Sequence, residues 1–192
     1  MLFISALPEY FPEERSATTP LRAHWMHLTK ALQQAEGILT SLSKLQTDQQ
    51  GTELYVLDLF LMDGLISHLQ AEERTLFPIA DELEPTELPI STVLREESRH
   101  IRELVIDFHR HLLKPAPDIG LIQLKGIEII RHAVAHIREG EGLLFPYIDA
   151  HMSEKEVMER LAGPMLDHEY DIGPVDHHAS SHHMARFHRP PG

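Results

Sequence analysis

Residues 68–78 read HLQAEERTLFP, and residues 136–146 read HIREGEGLLFP. Laid over each other without a gap, both open on His, carry Glu at the sixth position and close on Leu-Phe-Pro. They part at the fifth position, where Glu72 in the first faces Gly140 in the second. A helix interior gives no reason to choose glycine, which costs about 1 kcal/mol against alanine there. The upstream segments match too, LRAHWMHL at 21–28 against LREESRHI at 94–101. The chain therefore reads as two copies of one helical hairpin, related by a pseudo-twofold that brings side chains of both copies together in its middle.

The flanking sequence supports helices throughout. Leu21, His24, Leu28, Leu32 and Ala35 follow Pro20 at three- and four-residue steps, one face of a helix. After TDQQGT at 47–52, read as a turn, Leu57, Leu61, Leu65, His68 and Glu72 share a face of a run that is expected to end at Pro78. EPTELPIS at 84–91 reads as a loop. Leu94, Glu97, Ile101, Leu104, Val105, Phe108 and Leu112 mark a third stripe, and Ile129, Ala133, His136, Gly140 and Leu144 a fourth. Strand-like alternation is missing. The expected architecture is all-α: an irregular lead-in at 1–19 and an antiparallel four-helix bundle at 20–150. A short helix at 151–172, capped by Ser153, and a flexible His-rich tail at 173–192 complete it.

A chain of 192 residues, 42% apolar and 24% charged, has room for one globular core. The net charge of −13 with no basic stripe argues against nucleic acid as a partner. No apolar run approaches 18 residues, so no membrane span is expected, and without a recognisable leader the cytoplasm is the default. Cysteine is absent, so a metal must be held by nitrogen and oxygen. Histidine, with 15 copies, is in excess.

His68 and Glu72 stand one helical turn apart on an apolar stripe, where an ionised carboxylate is costly unless paired or metal-bound. His24 and His136 fall inside the stripes of two other helices. A lone core histidine is most simply a hydrogen-bonded structural residue. Three on three helices, with a carboxylate beside one, suit a metal site in a bundle core.

The doubled His-x-x-x-x-Glu-x-x-Leu-Phe-Pro pattern, each copy preceded by a helix, resembles the hemerythrin-like (HHE cation-binding) family across roughly residues 20–150. The resemblance implies a non-haem di-iron centre in a four-helix bundle, with O2, NO or peroxide chemistry or iron handling. Each half then normally supplies His from its first helix and His-x-x-x-Glu from its second. His24, His68 and Glu72 match in the first half, and His136 alone matches in the second. Glu97 stands opposite His24 in the repeat, next to Ser98, and Gly140 stands where the second bridging Glu belongs.

Two accounts of this trade are open. In one the ligand set is rebuilt: Glu97 supplies the missing carboxylate, His132 adds a nitrogen one turn before His136, and Gly140 makes room for substrate or an open coordination position. Such a site holds one or two irons, with Zn or Mn as other occupants. In the other the site has decayed, Glu97 pairs with an arginine, and the bundle is a metal-free scaffold for protein contact. A small ligand such as O2 or NO and a homodimer are both compatible with the first. Glu73 and Glu141 lie off the stripe centres, while Trp25 and Met26 read as packing. The segment 163–192 carries six of the histidines and offers a separate place for Ni, Cu or Zn.

Overall fold

The computed structural model describes residues 16–83, 90–162 and 165. The start of the lead-in, positions 84–89 of the expected loop and the His-rich tail with His168 lie outside the described residues. Among the described residues all regular structure is helical. Helix α1 is Thr19–Ser41. A long helical run follows, made of α2 (Thr47–Leu59), a π-helical segment Phe60–Leu65, α3 (Ile66–Arg74) and α4 (Leu76–Leu83). Then come α5 (Ile90–Leu112), α6 (Ile119–Glu139), a second π-helical segment Gly140–Leu144 and α7 (Phe145–His151). Helix α8 is Glu154–Val157, and Ser153 caps it by accepting a hydrogen bond from the Glu156 N–H.

Two expected boundaries shift, each for a local reason. TDQQGT opens α2 instead of forming a turn: its polar side chains serve a helix start, where Gln50 Nε2 donates to the Leu42 and Leu45 carbonyls at 2.9 and 3.1 Å. The run through His68 breaks at Thr75, before Pro78, and helix resumes at Leu76. Pro78 sits in the first turn of α4 and Pro146 in the first turn of α7, where an absent N–H costs nothing. By length and composition, Thr47–Leu83 is long and apolar enough to cross a membrane, a test that core helices of soluble proteins also pass.

The periodic stripes are the core. Leu21, Leu28, Leu32, Ala35 and Leu39 of α1 are buried, and α1 packs on α6, which also packs on α5. Each such leucine, fully withdrawn from water, contributes about 1.5–3 kcal/mol. Helices α1 and α6 come close because α6 offers a notch: a Cβ added at Gly126 would lie 2.6 Å from Leu39 Cδ2. Polar contacts tie the outer edges: Arg102 pairs with Glu73 at 2.5 Å and Lys125 with Asp107, and His109 Nδ1 is hydrogen-bonded to Asp58 at 2.9 Å.

Asp149 of α7 fixes where α1 begins. Its carboxylate accepts from Ser16 Oγ at 2.6 Å, from the Thr18 N–H at 2.8 Å and from Thr18 Oγ1 at 3.1 Å. It thus acts as an N-cap supplied from across the fold. Asp149→Ala is expected to lower stability by about 1–2 kcal/mol, because it leaves a helix-start donor and two hydroxyls without their acceptor. In urea denaturation the midpoint should fall with the slope unchanged; an unaltered midpoint would show that water replaces the carboxylate at no cost.

Candidate metal centre

Four of the residues singled out in the sequence meet in the interior. His24 of α1, His68 and Glu72 of α3 and His136 of α6 are all buried. The imidazoles of His24 and His68 stack with centroids 5.5 Å apart. Glu72 lies between two ring nitrogens: its Oε2 accepts from His136 Nε2 at 2.9 Å, and its Oε1 is 2.8 Å from His68 Nε2. The second contact is close enough to attract but out of line for a hydrogen bond, so Oε1 is a buried acceptor without one among the described residues.

Glu97 arrives from the other side. Its Oε2 meets His136 Nδ1 at 3.2 Å, so His136 has a carboxylate at each nitrogen and can donate to both only as an imidazolium. Burial by itself disfavours that charge, but attraction to Glu72, the hydrogen bond to it and then Glu97 outweigh burial and raise the His136 pKa to about 9. Burial likewise works against an ionised Glu72, and the charges of His68 and His136 outweigh it, holding Glu72 at about 2. The hydrogen bond from His136 keeps Glu97 below its ordinary value, while repulsion from Glu97 pushes the neighbouring Glu139 up.

The structure thus places Glu97 at the edge of its stripe, with its side chain 31% exposed, outside the ring of inward-facing donors. The buried position on α5 is the next residue. Ser98 is fully buried, and its Oγ has no hydrogen-bond partner among the described residues. A signal for this was present: Leu94, Ser98, Ile101, Val105 and Phe108 keep alternating steps of four and three, and Glu97 falls outside that rhythm. His132 is not brought to Glu72. It is exposed and sets its ring edge-on to His100 at 4.8 Å, because one turn back along α6 the face has rolled outward. Glu73 pairs with Arg102, and Met26 is exposed.

Trp25 carries more than the packing role read from sequence. It is fully buried, 4.4 Å from the Phe145 ring and 6.0 Å from that of His68. Its six-membered ring lies on Gly140, where an added Cβ would stand 2.3 Å from Cη2 and 2.5 Å from Cζ3. The room expected at Gly140 for substrate or an open position is occupied by indole. This is a second notch, one residue past the end of α6, and the two knobs of α1 are as far apart in sequence as the two notches that receive them, so the helices run antiparallel. No local pattern in 136–146 could reveal a ring supplied by a different helix.

The inward-facing donors fit a cation. Glu72 provides oxygen, His68 and His136 present Nε2 toward it, and His24 stacks beside them. Such a nitrogen and oxygen set suits iron, zinc or manganese. Glu97, on Nδ1 of His136, holds that ring with Nε2 turned toward Glu72. Among the described residues, however, no three or more of these side chains stand, in their present positions, where they could hold one ion together. His136 is instead hydrogen-bonded to Glu72 and to Glu97.

Among the described residues the fold is all-helical, and three helices bring buried histidines together at one core carboxylate. The chain belongs to the hemerythrin HHE cation binding domain family, whose family model matches residues 21–148. No curated protein and no solved structure matches it.

Proposed function

We propose that this chain is a non-haem iron protein that binds its metal in the interior of an antiparallel four-helix bundle. His24, His68, Glu72 and His136 are its ligands, and a small diatomic molecule such as O2 or NO is its target. The observation that carries the reading is the approach of His68 Nε2 and His136 Nε2 to one fully buried carboxylate. An ionised group in that position is costly without a positive partner, and membership of a cation-binding family supports a metal ion in that role. Iron, when bound, supplies the capacity to hold and reduce such a ligand. The protein's part is to orient: Glu97 holds His136 by Nδ1 so that Nε2 faces inward, and Trp25, Phe77 and Phe145 keep water from the donors.

A second reading has one observation behind it. Both ring nitrogens of His136 already meet a carboxylate, Glu72 on one and Glu97 on the other, as they would in a metal-free scaffold. Anaerobic Fe2+ separates the two. At a hundredfold excess over its Kd, Fe2+ should stabilise the chain by about 2.7 kcal/mol in a thermal unfolding experiment. The gain should vanish in His68→Ala. An equal gain in both proteins would place the iron elsewhere, and a scaffold would gain nothing and tolerate His68→Leu.

A further inference from the structure

We infer that Trp25 and Gly140 form a pair that reduces the core to a single cation position, held by His24, His68, Glu72 and His136. The inference rests on the cation-binding reading and adds the number of ions.

The internal repeat makes Gly140 the counterpart of Glu72. A symmetric centre would place a second carboxylate there. In the structure no side chain can begin at that point, because a Cβ would overlap the Trp25 ring at 2.3 and 2.5 Å. The ring cannot easily swing aside. It is fully buried, packed against Phe145 at 4.4 Å and set edge-on to His68 at 6.0 Å. The second half makes a matching change on α5, where the buried residue is Ser98, a neutral hydroxyl. Glu97 does not replace the lost carboxylate inside, since it is engaged with the outward nitrogen of His136.

Charge decides the outcome. Two divalent ions in one buried centre, typically 3.5–4 Å apart, need several carboxylates between and around them. Here the interior has Glu72, with Glu97 one imidazole away. Those two negative charges balance one divalent ion and leave a second uncompensated in a dry interior, where an unpaired charge is prohibitively costly. Geometry and charge therefore agree on one ion.

The test is native mass spectrometry of the full chain after anaerobic Fe2+ loading and desalting, with His68→Ala as the baseline. The histidines of residues 163–192 contribute equally to both proteins and cancel. Wild type should carry one iron more than His68→Ala. Two more would overturn this inference and leave the cation-binding reading intact; no difference would overturn both. The double variant Trp25→Ala/Gly140→Glu removes the ring and restores the carboxylate, and is expected to carry a second iron above the baseline. If it still holds one, Trp25 and Gly140 are not what excludes the second ion. Electron paramagnetic resonance of the oxidised proteins gives an independent reading: an isolated ferric ion gives a signal, whereas a strongly coupled pair loses it.

Discussion

Glu72→Gln is expected to cost the metal-free protein about 3–5 kcal/mol, the loss typical of removing one partner from a buried ion pair. Glutamine keeps the shape but cannot balance the imidazolium of His136, which then has Glu97 alone against the cost of burial. The pKa of His136 should drop from about 9, a change that NMR titration of its ring would follow directly. The pH profile carries the same information. Glu72 is held at about 2 against an ordinary 4.5, so its contribution is complete above about pH 4.5 and is lost as pH falls through 2. His136 is raised from 6.5 to about 9, so its contribution is complete below about pH 6.5 and is lost as pH rises through 9. The two shifts share the Glu72–His136 pair, to which His68 adds on one side and Glu97 on the other, and should not be added. Metal-free wild type should be most stable between these limits, and Glu72→Gln should flatten both flanks. An iron ion must displace the proton on His136 Nε2, so iron affinity should rise about tenfold per pH unit up to about pH 9. A pH-independent affinity would mean that His136 is not a ligand.

Gly140→Ala should destabilise the protein by about 1–3 kcal/mol, although the same change normally stabilises a helix. The added methyl meets the indole of Trp25, a rigid ring held on its other sides by Phe145 and His68. Gly142, two residues on, is exposed with nothing within 4 Å of an added Cβ, so Gly142→Ala should gain up to about 1 kcal/mol. Opposite signs two positions apart are the signature of a specific contact. Shrinking the ring should relieve the clash: in Trp25→Leu the further cost of Gly140→Ala should disappear, a coupling of about 1–3 kcal/mol readable in a double-mutant cycle. If the two substitutions simply add, the ring and the glycine are not in contact in solution.

How far the sequence could be read depended on whether the relevant force acts along one helix or between helices. Burial of His24, His68, Glu72 and His136 followed from helical spacing, because each side chain takes its direction from its own backbone. Glu97 was misplaced by one residue, since a stripe projected by angle has soft edges and the strict four-three rhythm through Ser98 was the better guide. Helix resumption at Leu76 was hidden because proline breaks a helix interior yet suits a first turn. The π-helical segments at 60–65 and 140–144 have no compositional mark, and they occupy different places in the two repeats. The reason for Gly140 lies on α1, more than a hundred residues earlier. The question raised by its sequence could be answered only by the packed structure.

Trp25 is the only tryptophan in the chain. Its contact with His68 and Gly140 therefore gives the protein an intrinsic optical reporter. Its emission comes from a single site, is shielded from solvent, and originates beside an imidazole proposed to take up the metal. Quenching on cation arrival, or a spectral shift as neighbouring charge changes, can be timed in unlabelled protein by stopped flow. The side chain that narrows the chemistry of this interior also makes that chemistry visible.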